Sequence, residues 1–217
     1  MKNLSRLVFL VIIFFTNYLN AQNMFEYGIK VGISSSSISA TDTKPSIYFN
    51  SGDYYQGNSI NPFIGLFLNY KLDENLILES ELSYIQKGSR KTTEVVYTTL
   101  DYPDGDGLKT DYTAEIDLRY MELGFNVKPT IRFGNIPTYL IIGSSADYTL
   151  NAINITHDKI DKFIFSYKLG VGCNVNGVLK LPLLIELKYT GDFSQFYSYH
   201  YGNLWNKVLL INIGFNI

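Results

Sequence analysis

Residues 181–189 read LPLLIELKY. The first half has the composition of a buried strand. The second half sets Glu186 and Lys188 two apart among leucines. Side chains two apart on a strand point the same way. Both charges therefore share one face, and Leu183, Ile185, Leu187 and Tyr189 share the other. Whether the charged face meets water or the inside of a closed sheet decides the fold.

The same alternation recurs along the chain, and helical periodicity does not. In FEYGIKVGIS, Phe25, Tyr27, Ile29, Val31 and Ile33 oppose Glu26, Gly28, Lys30, Gly32 and Ser34. In FIGLFLNYKL, Ile64, Leu66, Leu68, Tyr70 and Leu72 oppose Phe63, Gly65, Phe67, Asn69 and Lys71. LILESELSYIQKG sets Leu78, Leu82 and Tyr84 against Glu79, Glu81, Ser83 and Lys87. RYMELGFNVK sets Met121, Leu123, Phe125 and Val127 against Tyr120, Glu122, Asn126 and Lys128. YLIIGSSADY, FSYKLGVGCNV, LLIELKYT and the closing VLLINIGFNI continue the pattern. Eight strands of about ten residues result, the length of a tilted membrane-spanning strand.

The connections alternate in length. Asp73-Glu74-Asn75, Gly134-Asn135 before Pro137, and Asn176-Gly177 are tight, and Asn-Gly is a strong hairpin signal. Long connections cover about 35–61, 88–115, 150–163 and 191–206. In the second, KTTEVVYTTL and YTAEIDLRY have strand composition and flank the turn-rich DYPDGDG, which suggests a hairpin reaching beyond a membrane. Short turns on one side and long loops on the other are the layout of an outer-membrane barrel.

The chain starts MKNLSRLVFLVIIFFTNYLNAQ. Lys2 and Arg6 precede an apolar run from Leu7 to Phe15, too short to span a bilayer, and Leu19-Asn20-Ala21 suits cleavage. Residues 1–21 are read as a signal peptide and 22–217 as one barrel domain. No later apolar stretch reaches the roughly 18 residues of a membrane helix. A membrane fold must then be a closed barrel, because lipid satisfies no open backbone groups. The net charge of −2 offers no surface for nucleic acid. A single cysteine, Cys173, excludes an internal disulfide.

Glycines and tyrosines assign the faces. Gly28, Gly32, Gly65, Gly143, Gly170, Gly172 and Gly214 all fall on the polar side. Glycine weakens a solvent-facing strand, whereas the narrow interior of an eight-stranded barrel needs small residues beside long ones. Tyr27, Tyr70, Tyr84, Tyr148, Tyr167 and Tyr189 lie near strand ends on the apolar side, as aromatic girdles do. The expected fold is all-β: an eight-stranded, antiparallel, up-and-down transmembrane β-barrel with short periplasmic turns and long extracellular loops. Glu186 and Lys188 then point into the lumen. Lys30, Glu79, Glu81, Glu122, Lys128, Glu186 and Lys188 form a candidate lumen charge network. An eight-stranded barrel leaves no open water channel.

YGIKVGISSSSIS, LILESELSYIQKGS, RYMELGFNVKP, LGVGCNV, IELKYTGDFSQF and the closing IGFNI resemble the PorT-like outer-membrane β-barrel family across the mature chain. The resemblance implies an eight-stranded barrel in the outer membrane of a Gram-negative cell. The namesake is associated with the type IX secretion apparatus. These are barrel-construction motifs, which specify fold well and activity poorly. One departure is the terminal Ile217, with Phe215 two residues earlier, where such barrels usually end on an aromatic residue.

Phe193, Phe196, Tyr197, Tyr199, Tyr201 and Trp205 crowd one long connection and are the candidate partner contacts. Lys87, Arg90 and Lys91 cluster where the third strand leaves the membrane and are candidates for lipopolysaccharide phosphates. The only histidines, His157 and His200, fall in long connections, with Asp158 and Asp161 near the first and Ser194 and Ser198 near the second, but a base needs hydrogen-bond reach to its nucleophile, which spacing does not give. Asp101, Asp104, Asp106 and Asp111 fail the EF-hand pattern at its first and last ligand positions. No catalytic, metal or cofactor residues are expected. The expected protein is a non-catalytic, monomeric surface or envelope-organising barrel. Its expected partners are outer-membrane lipid, lipopolysaccharide and envelope or secretion proteins. A loop-based lipid-modifying enzyme and a soluble periplasmic lipocalin-like carrier are the alternatives.

Overall fold

A computed structural model describes residues 24–42, 57–96, 109–133, 136–153, 160–176, 181–199 and 202–217. The segment read as a signal peptide, His157, His200, Asp101, Asp104, Asp106 and Tyr201 lie outside them.

Nine strands are described: β1 (Phe25–Asp42), β2 (Asn58–Lys71), β3 (Leu76–Val96), β4 (Lys109–Phe133), β5 (Ile136–Ile153), β6 (Phe163–Asn174), β7 (Leu183–Asp192), β8 (Tyr197–Tyr199) and β9 (Gly202–Asn216). Each pairs antiparallel with its sequence neighbour from β1 to β7; β7 then pairs with β9, and β9 with β1. β1 to β7 and β9 therefore close an eight-stranded barrel with no free edge. β8 is a three-residue addition that pairs only with the start of β9. The sequence hid it because it lies inside a long connection.

Alternation is what closes this sheet in lipid. On β9, Leu209, Ile211, Ile213 and Phe215 are exposed, while Val208, Leu210 and Asn212 are buried. The same holds for Met121, Leu123, Phe125 and Val127 against Tyr120, Glu122, Asn126 and Lys128 on β4. A continuous apolar belt faces outward and the polar face fills the lumen. Aromatic pairs edge the belt: Phe25–Tyr70 at the turn end (4.9 Å between ring centroids), Tyr148–Phe163 and Tyr167–Phe193 at the loop end (5.2 and 5.1 Å). Belt parity makes a direct prediction. Phe125→Arg, mid-belt on β4, should destabilise the folded barrel by about 2–4 kcal/mol, the cost of a basic side chain facing the bilayer midplane. Urea titration in lipid bilayers would read this, and an unchanged midpoint would contradict the outward assignment.

β3 and β4 pair from Leu76↔Pro129 to Val96↔Lys109. This extends both strands well past the belt, which on β4 ends at Met121. The barrel therefore carries a two-stranded extension on its loop side. A register shift at Arg119/Tyr120 lies where β4 leaves the belt. Inside the loop end sits an apolar cluster that alternation did not announce. Ile38, Phe63, Ile85, Ile116, Leu118, Tyr120, Ala152, Ile164, Phe196, Leu204, Val208 and Leu210 pack there.

Candidate functional site: a cross-braced lumen under a folded loop

Below the apolar cluster the lumen is ionic. Lys30 on β1 places its Nζ 2.7 Å from Glu79 Oε2, 2.6 Å from Glu81 Oε2 and 2.9 Å from Glu186 Oε2. Its ammonium donates to Glu79 and Glu81 and lies at ion-pair distance from Glu186. Oxygens of those carboxylates lie within 4.8 Å of one another, a spacing that could hold a metal ion, but the ammonium occupies the space between them. Lys188 donates 2.9 Å bonds to both oxygens of Glu81. Lys168 donates to Glu122 Oε1 at 2.6 Å. Lys128 bridges Glu79 and Glu186, reaching Glu186 Oε1 at 2.6 Å.

β3 and β7 stand four places apart in a ring of eight, so they face each other across the lumen. The Lys188–Glu81 bonds therefore run from wall to wall, while the Lys30–Glu186 pair joins β1 to β7, two places around the ring. Neutral groups complete the shell. Asn126 Nδ2 donates to Glu79 Oε1 at 2.9 Å, and Tyr139 OH donates to Glu186 Oε1 at 3.0 Å. Tyr139 reaches that oxygen because its cross-strand partner is Gly172. A Cβ there would lie 2.5 Å from the tyrosine ring. Lys30, Lys128 and Lys188 also lie 5.0, 4.8 and 5.3 Å from the rings of Phe67, Tyr139 and Phe63, within cation–π range.

All seven residues of the candidate charge network are buried and joined by ion pairs. Lys168 belongs with them. Sequence reading also missed a second cluster nearer the loops. Lys87 donates to Asp147 Oδ2 at 2.7 Å and lies 3.6 Å from Asp192 Oδ1. Ser166 Oγ is 2.8 Å from Asp147 Oδ2 and 3.0 Å from Asp192 Oδ1. The backbone N–H and side-chain amide of Asn206 both donate 2.8 Å bonds to Asp192 Oδ2. The signal for this cluster was present: Lys87 and Asp147 share the parity of Glu81 and Ser145.

Lys87 is therefore corrected. It was grouped with Arg90 and Lys91 as a lipopolysaccharide contact, yet its side chain is fully buried in the lumen. Odd positions on β3 point inward, and proximity in sequence does not change that. Arg90 points outward and is exposed, with Lys91 half-buried beside it.

Phe196 is corrected too. It is 0% exposed, inside the apolar cluster. Main-chain bonds hold it there: Phe196 N donates to Leu204 O at 3.0 Å, and Asp161 N to Phe196 O at 3.0 Å. Phe193, three residues earlier, is 66% exposed and Trp205 is half-buried. Tyr197 and Tyr199 form β8, with side chains outside the described set. The crowded aromatic segment thus divides into an anchor and an exposed portion.

The turn end holds a cavity of about 410 Å³, lined by residues that include Asn69, Lys71, Lys128, Tyr139 and Asn216. Lys71 pairs with Glu26 at its rim. Its floor is Lys128 and Tyr139, already bonded to Glu79 and Glu186. The mouth therefore ends on the ionic network.

A sealed, inverted barrel is the geometry against which relatives can be read. The outer membrane protein beta-barrel domain family matches residues 20–197. The chain belongs to that family. Its members' name places them in the outer membrane, and this chain is an outer-membrane β-barrel, with its turns periplasmic and its loops extracellular. Among solved structures it is similar to the attachment invasion locus protein of Yersinia pestis, solved with the heparin analogue sucrose octasulfate. That likeness has 12% identity and a TM-score of 0.41, covering 89% of this chain and 99% of the other. Neisserial surface protein A is similar at 9% identity and a TM-score of 0.41, covering 86% and 96%. The outer membrane protease OmpT of Escherichia coli is similar at 8% identity and a TM-score of 0.39, covering 89% and 97%. No curated protein matches the sequence.

Proposed function

We propose that this family member is a non-catalytic barrel whose work is done at its outer rim, in surface interaction or envelope organisation. The observation that carries this reading is the closed lumen. Wall-to-wall ion pairs fill its middle and an apolar cluster fills its loop end, which leaves transport without a path. The rim has features that suit contact: exposed Phe193, the β3–β4 extension, and outward Arg90 above the belt. Arg90 is at the height of lipopolysaccharide phosphates, and a guanidinium suits them; Lys91, half-buried, shares the inward parity of Lys87. The resemblance to the PorT-like group and the cleavable segment ending at Ala21 belong to this reading, with secretion-associated envelope proteins as the partner class.

The test is electrical and chemical. Purified barrel in a planar bilayer should show no conductance steps. The same preparation should release no fatty acid from phospholipid or lipopolysaccharide. Reproducible steps would overturn the sealed lumen, and hydrolysis abolished by alanine at His157 and His200 would replace this reading with the enzyme.

A further inference from the structure

The charges of the described lumen do not balance. Lys30, Lys87, Lys128, Lys168 and Lys188 supply five positive charges. Glu79, Glu81, Glu122, Asp147, Glu186 and the buried carboxylate of Asp192 supply six negative ones. Around Lys30 the numbers match. The excess lies in the cluster nearer the loops, where Lys87 and Lys168 face Glu122, Asp147 and Asp192.

Buried atoms without a hydrogen-bond partner occur here as well as at Glu186 Oε2, which has Lys30 at ion-pair distance. Glu122 uses Oε1 for Lys168 and Ser83, at 2.6 and 3.2 Å, and its buried Oε2 has no partner. Asp147 uses Oδ2 for Lys87 and Ser166, and its buried Oδ1 has none. Ser145 Oγ is likewise buried and unpartnered. Register brings these groups together. Glu122 stands opposite Asp147, and the next inward pair along β4 and β5 is Gly124 opposite Ser145. Two like charges directly opposite on a sheet repel, and an uncompensated buried charge is costly. These vacant atoms are oxygens, as are the unpartnered Tyr120 OH and Asn206 Oδ1 nearby, and oxygens are the donors that hard cations take. A divalent ion would reverse the imbalance, while a monovalent one cancels it.

We propose that the lumen binds one alkali cation, sodium or potassium, between Glu122, Ser145 and Asp147. The groups facing this site are Lys87 on β3, Tyr120 on β4, Lys168 on β6, Asp192 on β7 and Asn206 on β9. The site lies beneath the apolar cluster, so the ion enters as the barrel closes. It neutralises the inner wall of β4 and β5 at the height of Asp192, whose bonds to Asn206 tie the base of the 193–201 segment.

The full mature chain should be refolded into detergent at one ionic strength in sodium, potassium or choline chloride, and its thermal midpoint followed by gel mobility. Sodium or potassium should raise the midpoint saturably, by a few degrees over choline. Asp147→Asn should remove that dependence and, in choline, melt no lower than the unsubstituted barrel. Ser145→Ala keeps every charge and should fold, but need a higher cation concentration for the same rise. Equal midpoints in all three salts would overturn the proposal. So would a cation-independent unsubstituted barrel that Asp147→Asn stabilises, which assigns the missing charge to a proton. A wild-type rise that Asp147→Asn and Ser145→Ala both leave intact would overturn the location.

Discussion

Lys30→Met should destabilise the barrel by about 3–5 kcal/mol, the range seen when one partner of a buried ion pair is removed. The estimate rests on what is left behind. Glu79 and Glu81 each lose a charge-assisted bond, of 2.7 and 2.6 Å, and Glu186 loses an ion-pair contact of 2.9 Å. All three carboxylates stay buried, with oxygens within 4.8 Å of one another. Methionine fills the volume but offers nothing to them. Remaining cations soften the loss, since Lys128 still serves Glu79 and Glu186, and Lys188 still serves Glu81. Urea titration of the refolded barrel, read by gel mobility, measures the change. Adding Glu186→Gln restores the charge count at the cage and should recover most of the loss. A silent Lys30→Met would mean that water, not lysine, solvates these carboxylates, and the sealed lumen would fail with it.

Much of this was legible from alternation alone. Eight strands, the turn pattern, the outward belt and the inward charges follow from a period of two. In a barrel, parity along a strand is parity across the wall. Glu186 and Lys188 are the simplest case: one face, one destination. Lys87 shows how the rule is lost when a second idea competes with it. Its neighbours Arg90 and Lys91 suggested a basic surface patch, but its parity matched Glu81, and parity decided.

Other features were beyond that rule. The apolar cluster draws Ile38, Phe63, Ile85, Leu118 and Ile164 from five strands. At the outer ends of strands the polarity blurs or inverts: on β4, Ile116 and Leu118 are buried while Glu115, Asp117 and Arg119 alternate with them on the outer face, so parity of charge no longer tells lumen from belt. Partner choice among the charges was equally hidden. Glu81 and Lys188 are 107 residues apart, and only closure of the sheet sets β3 opposite β7. The register shift at Arg119/Tyr120, which adjusts how β5 meets β4 near the loops, has no signature in composition. Nor does β8, which exists because Phe196 turns inward.

Phe196→Ala should cost about 3–5 kcal/mol, as large-to-small changes of buried aromatics do. The ring is fully buried beside side chains contributed by six strands and by β9's start, and its own main chain is bonded to Leu204 and Asp161. Alanine would leave a void at the loop end of the lumen that no adjacent side chain is placed to fill, because the walls there are hydrogen-bonded strands. Phe193→Ala provides the contrast. Phe193 is exposed, with its ring 5.1 Å between centroids from Tyr167, and its loss should move the unfolding midpoint little. The two substitutions therefore separate fold from contact in one short segment. If the outer rim is the working surface, Phe193→Ala should weaken envelope association in cells while leaving the gel-mobility shift intact. Phe196→Ala should lower both, through the barrel. Equal loss of stability from the two would mean that the segment packs as a whole, and the exposed aromatic would lose its claim as a contact. A stability loss near zero for Phe196→Ala would place the ring outside the lumen and reopen the loop end as a path.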